Sequence, residues 1–105
     1  MIANHHFAGF ELRCVERQLI IHGRPAHLGS RAFDVLAWLV ENPARTVTKE
    51  ELLERVWGGH DVCETNLYVQ VSALRALLGH DAIATISGFG YRWAVPEIGA
   101  QAAPH

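Results

Sequence analysis

The sequence has few cysteines, no long apolar run and no excess of basic residues, and each absence excludes a class of protein. Its two cysteines, Cys14 and Cys63, form no Cys-x-x-Cys pair, which excludes a disulfide scaffold and a zinc knuckle. The longest apolar run, residues 35–40, is far too short to span a membrane. No basic stretch followed by an apolar one marks a signal peptide. We therefore expect a cytoplasmic protein with reduced thiols and no membrane partner.

The charge balance is slightly acidic, with a formal net charge of −2 over 105 residues. Many DNA-binding domains are clearly basic, so total charge gives no support to a nucleic-acid role and the position of the charges has to decide. Half of the residues are hydrophobic, which excludes a disordered chain. The length allows a single hydrophobic core, and the sequence predicts one domain.

We set the folded domain at residues 10–95. Residues 1–9 are assigned to an N-terminal extension. Residues 96–105 (PEIGAQAAPH) are assigned to a flexible tail or linker, because small residues, alanine and proline are typical of fraying ends and linkers.

Short strands are predicted at the start of the domain. Residues 10–14 alternate between apolar and polar side chains, which is the period of a half-buried strand. A second apolar run at residues 19–22 and a short segment at 26–28 follow after turn-forming residues. Together they predict a small antiparallel sheet, which is marginal alone and needs another element to pack against.

Three helices are predicted after the sheet. Ser30 predicts the N-cap of the first, whose apolar residues recur at helical spacing up to residue 40. Thr48 and Glu51 have the spacing of a capping box and predict a short second helix over residues 49–56. The third helix begins at residue 64 or 65, is amphipathic and ends before Gly79.

The last predicted elements are strands at residues 83–87 and 91–95. Gly88, Phe89 and Gly90 join them and predict a tight hairpin turn. A helix followed at once by a two-stranded ribbon is the arrangement with which a winged helix binds DNA. The helix fits the major groove, and the tip of the ribbon reaches the backbone or the minor groove.

Four segments, taken in order, resemble the OmpR/PhoB-type winged helix-turn-helix domain of bacterial transcriptional regulators. They are LGSRAFDVL at 28–36, VTKEELLERVW at 47–57, VQVSALRALL at 69–78 and IATISGFGYRW at 83–93. The resemblance covers nearly all of residues 10–95. Residues 64–75 (ETNLYVQVSALR) are most similar to members that lack a receiver domain.

The resemblance implies an α+β fold: a winged helix-turn-helix with an N-terminal antiparallel sheet, three helices and a C-terminal β-hairpin wing. It implies a fourth strand in the first sheet, near Phe7 or Gly29. It also implies sequence-specific binding of double-stranded DNA for transcriptional regulation, with the third helix in the major groove and the wing on the backbone or the minor groove. Because one copy contacts few base pairs, we expect paired half-sites and a homodimer on DNA.

The residues that match family positions receive the family's roles. The resemblance implies phosphate contacts at Trp57, Arg75, Thr85 and Tyr91, to which we add Arg92, and base contacts from the third helix. The expected DNA-binding residues are Trp57, Thr65, Asn66, Val69, Gln70, Ser72, Ala73, Arg75, Thr85, Ser87, Phe89, Tyr91 and Arg92. The loop expected to contact RNA polymerase or another regulator is Gly58, Gly59, His60, Asp61 and Val62.

Basic residues are scarcer on the third helix than the family pattern implies. Only Arg75 is basic between residues 64 and 78, and Ser87 stands where the wing often carries arginine. Fewer cations predict weaker and less salt-sensitive DNA binding. The alternative is a degenerate winged-helix module that binds protein and has no strong affinity for DNA. The third-helix positions where the family often has arginine or lysine are Thr65, Gln70, Ser72 and Ala73.

Neither an enzyme active site nor a metal or cofactor site is predicted. His60, Asp61 and Cys63 lie in a short loop, where no further group orients them for nucleophilic chemistry. His5 and His6 are the only close pair of histidines, and a metal site needs more converging ligands than this. Trp38 and Trp93 are expected to pack in or near the core.

Overall fold

The computed structural model describes residues 4–58 and 63–98 of the chain. Its first part is an antiparallel sheet of four strands that lie side by side in chain order. The strands are β1 (Asn4–Phe7), β2 (Phe10–Arg13), β3 (Gln18–Ile21) and β4 (Arg24–Ala26).

Three helices and a smaller sheet complete the fold. The helices are α1 (Ser30–Val40), α2 (Lys49–Trp57) and α3 (Glu64–Leu78). The strands of the second sheet are β5 (Val47–Thr48), β6 (Ile83–Ile86) and β7 (Gly90–Trp93), in the order β5-β7-β6. A single 3-10 turn, His80–Ala82, joins α3 to β6. The predicted α+β winged helix-turn-helix is confirmed, with the hairpin of β6 and β7 as its wing.

The fourth strand of the first sheet is β1, which ends at Phe7. It lies inside the segment set apart above as an N-terminal extension. Phe7 is buried, stacks on Phe10 at 4.8 Å between ring centroids, and meets Trp93 edge-on at 5.4 Å. This aromatic cluster packs β1 against the domain, although three of the four residues of β1 are asparagine or histidine, which give little strand signal.

The helix boundaries follow the predicted signals with one exception. Thr48 caps α2 by accepting a hydrogen bond from the backbone N–H of Glu51 at 3.0 Å, and Gly58 ends α2 in the left-handed conformation. The prediction of Ser30 as an N-cap is wrong, because Gly29 holds that position and Ser30 is the first helical residue. The hydroxyl of Ser30 instead accepts from the guanidinium of Arg17 at 3.3 Å.

The core is built around the three helices, and α1 packs against both of the others. The buried Trp93 and the partly buried Trp38 join this core, as predicted. None of the helices in the described part of the chain has the length and apolar content needed to cross a membrane. The leucines buried at the centre are Leu36 and Leu39 of α1, Leu52 of α2, and Leu67 and Leu74 of α3.

Glu51 links α2 to the end of α1. Its carboxylate accepts from the guanidinium of Arg45 at 2.6 and 2.9 Å and from the indole N–H of Trp38 at 2.8 Å. Only one of the two hydrogen bonds of a capping box is therefore formed, that from the Glu51 N–H to Thr48. The Glu51 carboxylate binds Arg45 and Trp38 and does not return to the backbone of Thr48. The hydrogen bonds from Arg45, with that from Trp38, hold the pKa of Glu51 at about 2, below its ordinary value of 4.5.

We expect Glu51→Gln to lower the free energy of unfolding by about 1–2 kcal/mol at pH 7, a range that allows for solvent screening around the half-exposed Arg45. Because folding depresses this pKa, the stabilisation is complete above about pH 4.5 and is lost as the pH falls towards 2. Urea denaturation at pH 7 and at pH 3 measures both effects. Glu50→Gln, in the same first turn, is the control. If both variants lost the same free energy of unfolding, the interaction of a carboxylate with the helix dipole would explain the loss, and the bonds to Arg45 and Trp38 would not.

Candidate nucleic-acid interface

The helix α3 presents a face of mixed polar and apolar side chains to solvent. Its buried side carries Leu67, Val71 and Leu74, spaced four and three residues apart, which fix the helix to the core. The side chains of α3 predicted to contact DNA lie away from this buried side. Thr65, Asn66, Val69, Ser72 and Ala73 are exposed, and Gln70 is half-buried. The structure therefore presents the predicted DNA-contacting residues of α3 on the surface of one continuous helix.

Arg75 joins α3 to the wing. Its guanidinium donates to the carbonyl oxygen of Ile83 through Nη2 at 2.5 Å and Nε at 3.2 Å, and to the hydroxyl of Thr85 through Nη2 at 2.8 Å. The same group lies 5.9 Å from the centre of the Tyr91 ring. Sequence reasoning assigned Arg75 to DNA phosphates alone, whereas the structure also gives it the task of holding β6 against α3.

The tip of the wing is fixed to the start of α2. The backbone N–H of Lys49 donates to the carbonyl of Phe89 at 3.1 Å, and the N–H of Phe89 donates to Ile86 at 2.9 Å. β5 pairs with β7, so that Val47 lies opposite Tyr91. The Phe89 side chain is 65% exposed, so a rigid turn presents an aromatic ring to solvent.

Thr85 and Arg92, two of the three predicted phosphate contacts on the wing, differ in placement. Thr85 is exposed and lies opposite Tyr91, on the face that Arg75 contacts. Arg92 lies opposite Ala84 and is exposed. Because neighbouring side chains of a strand point to opposite faces, Arg92 projects from the face of the wing that Arg75 does not contact. The structure brings Arg75 and Thr85 together and leaves Arg92 apart from them.

Tyr91 is 7% exposed, so most of its ring belongs to the core. What remains open lines a shallow cavity of about 280 Å³ between the starts of α2 and α3. The other predicted residues of the wing and of α2 are more open: Ser87 is exposed, and Trp57 is half-buried at the last position of α2.

The sequence analysis did not predict two residues of this surface, Tyr68 and Lys49. Tyr68 is 60% exposed and lies on α3 between the predicted Thr65 and Ser72, where helical spacing alone would have found it. Lys49 lines the same cavity, with its ammonium 3.6 Å from the carboxylate of Glu64. No local pattern points to Lys49, because it reaches α3 and the wing only through the pairing of β5 with β7.

The predicted partner-contact loop lies largely outside the described residues. Gly58 is the left-handed C-cap of α2, with a φ of 77°. Gly59, His60, Asp61 and Val62 fall between the two described ranges, so their contact with RNA polymerase or another regulator stays a prediction.

The sequence is similar to those of known transcriptional regulators. The family described as "Transcriptional regulatory protein, C terminal" matches residues 23–93. Sensory transduction protein RegX3 of Mycolicibacterium smegmatis is 35% identical over 85 residues, which are 74% of this chain and 37% of that protein. The phosphate regulon transcriptional regulatory protein PhoB of Pseudomonas aeruginosa is 32% identical over 89 residues, 81% of this chain and 39% of that protein.

A solved structure shows the same fold. The DNA-binding domain of RstA from Klebsiella pneumoniae, in complex with the RstA box, superimposes with a TM-score of 0.75 at 26% identity. The match covers 87% of this chain and 96% of that one. By contrast, the matched part of the chain spans only 37% of RegX3 and 39% of PhoB.

Proposed function

The chain belongs to the OmpR/PhoB-type family of transcriptional regulatory protein C-terminal domains, and from this premise we propose that it binds double-stranded DNA sequence-specifically to regulate transcription. The observation that carries the proposal is the arrangement of α3 and the wing. Arg75 bonds the two elements together, so that the exposed face of the helix and the tip of the hairpin are held in one fixed relation.

The helix α3 enters the major groove, whose width admits an α-helix. The amides of Asn66 and Gln70 can each pair with the N6 and N7 edge of adenine. Val69 and Ala73 offer apolar contact to thymine methyl groups. Thr65 and Ser72 offer hydroxyls to bases or phosphates on either side.

The wing and the end of α2 contact the backbone. Thr85 and Ser87 supply hydroxyls, Arg75 and Arg92 supply charge, and Phe89 approaches the minor groove. Trp57 and Tyr91 contact the backbone through the exposed edges of their rings. Because one protomer covers few base pairs, two copies bind adjacent half-sites, as a homodimer on DNA. We place this activity in the cytoplasm.

The proposed DNA-binding surface of α3 and the wing carries few basic residues. Lys49 of α2, Arg75 of α3 and Arg92 of the wing are the cations that we assign to the DNA, and Glu64 opposes Lys49. Each phosphate neutralised contributes about −0.9 to the slope of log K against log salt concentration. Three cations give a slope of about −3 for one protomer, so most of the specific affinity has to come from hydrogen bonds and apolar contacts.

The second candidate function is a protein-interaction module on the same fold. Three exposed side chains favour it: Tyr68 at 60%, Val69 at 52% and Phe89 at 65% exposure. Such apolar groups suit a protein partner as well as DNA. The family is one of transcription regulators, and no enzymatic role is proposed.

DNA selected from a random duplex library at low salt tests the proposal. We expect Asn66→Ala and Gln70→Ala each to weaken binding to the selected site about 5- to 150-fold, the range for a bidentate base contact, and to leave non-specific DNA unaffected. Fluorescence anisotropy across a salt series measures both. Gln18→Ala, an exposed amide on β3, is the matched control. If no selected duplex bound with a dissociation constant below about 10 µM, DNA binding would be rejected and the protein-interaction module favoured.

A further inference from the structure

The first sheet directs two metal-binding side chains to its inner face. In the antiparallel register of β1 and β2, His5 lies opposite Leu12, which is fully buried. Paired residues share a face, so His5 points inwards, and Cys14, the residue after β2, is buried on the same side. Cys14 is 8% exposed, and the side chain of His5 is 15% exposed. A sulfur and an imidazole therefore meet beneath the sheet.

A carboxylate completes the cluster from a third element. Glu41, the C-cap of α1, places one oxygen so that it, the Cys14 sulfur and a His5 ring nitrogen all lie within 4.8 Å of one another. Thiolate, imidazole and carboxylate are the ligands that zinc takes in proteins. Ligand atoms around a tetrahedral zinc are separated by about 3.5 Å, so small side-chain rotations would close the site.

A fourth residue orients the histidine. Nδ1 of His5 lies 3.0 Å from the carboxylate of Glu97, in the segment that follows β7. This bond favours a proton on Nδ1 and leaves Nε2 as the free lone pair. Histidines that bind metal commonly donate their second nitrogen to a carboxylate in this manner, which fixes the ring and its tautomer. A cysteine that merely filled the core would need neither an imidazole nor two carboxylates around it.

We propose that His5, Cys14 and Glu41 form a site for a divalent cation of the zinc class, with Glu97 as the positioning residue for His5. Three protein ligands leave the fourth tetrahedral position to water. Glu41 is the exposed member of the set and lies on the side from which the ion enters. The cation joins β1, the end of β2 and the end of α1, so its binding stabilises the folded domain. The proposal is independent of DNA binding.

Titration with Zn²⁺ alone, and with Co²⁺ as its spectroscopic substitute, tests the site in the whole chain. We expect one equivalent to bind with a dissociation constant below about 10 µM and to raise the melting temperature. The Co²⁺ form should show a thiolate-to-cobalt charge-transfer band. Cys14→Ser should remove that band, and Glu41→Gln and Glu97→Gln should each weaken binding about 10- to 100-fold.

Matched controls separate this site from other ligands on the chain. Cys63→Ser removes the exposed thiol, and Glu50→Gln removes an exposed carboxylate of α2. Neither should change the affinity or the charge-transfer band. Because Glu41 and Glu97 are not core residues, their variants should fold, which circular dichroism checks. The proposal is overturned if the band follows Cys63, or if Glu41→Gln and Glu97→Gln bind Zn²⁺ as tightly as the unchanged chain.

Discussion

Replacing Gly90 with alanine is expected to lower the free energy of unfolding by about 3 kcal/mol or more. The β-carbon of the alanine would collide with the carbonyl of Val47 and lie 2.8 Å from Cα of Thr48. Both are backbone atoms of β5, which cannot move without releasing β7 from its partner. The substitution therefore opens the second sheet and frees the wing from the start of α2. Urea denaturation followed by circular dichroism measures the loss.

Gly88 is the control for this substitution. It has a φ of +82°, which disfavours any side chain, but a β-carbon there would meet nothing within 4 Å. Gly88→Ala should therefore cost only the conformational penalty of about 1–2 kcal/mol. If Gly90→Ala were no worse than Gly88→Ala, the close approach of β5 to β7 would not be what requires glycine at position 90.

Replacing Arg75 with alanine is expected to weaken DNA binding about 10- to 100-fold for every duplex, whatever its sequence. The variant loses a charge from the proposed interface. It also loses the hydrogen bonds to Ile83 and Thr85 that hold the wing against α3. A wing that is no longer held has to be ordered when DNA binds, which lowers affinity further. Fluorescence anisotropy with specific and non-specific duplexes measures the change.

Two variants separate charge from positioning at Arg75. Arg92→Ala removes an equal charge from the other face of the wing. It should weaken DNA binding less than about 5-fold and should reduce the slope of log K against log salt concentration by about 1. Arg75→Lys keeps the charge, but an ammonium cannot reproduce the fork that reaches Ile83 and Thr85 together, so we expect only partial recovery. If Arg75→Lys bound like the unchanged chain and Arg92→Ala were as weak as Arg75→Ala, charge alone would account for both.

Local signals in the sequence predicted the helices and the hairpin. Thr48 before Glu51 set the start of α2, because a cap and its partner are only three residues apart. Gly88 marked the turn of the wing for an equally local reason, its φ of +82°, whereas Gly90 is the first residue of β7 and its requirement for glycine comes from β5. The period of Leu67, Val71 and Leu74 identified the buried side of α3, and thereby the exposed one.

Features that depend on distant partners could not be predicted. β5 is two residues long and exists only because β7 lies beside it. The side to which Arg92 points depends on hairpin register, and a shift of one residue would reverse it. His5, Cys14 and Glu41 are distant in sequence, so no spacing motif reveals that they converge.

The bond between Lys49 and Phe89, together with β5, also constrains the DNA sites that this domain can bind. With the hairpin tip anchored to the start of α2, the major-groove and minor-groove contacts keep one separation and cannot adjust independently. A single added base pair would shift the far contact by about 3.4 Å along the duplex and rotate it by about 35°. Operators recognised by this chain should therefore not tolerate base pairs added or removed within one half-site.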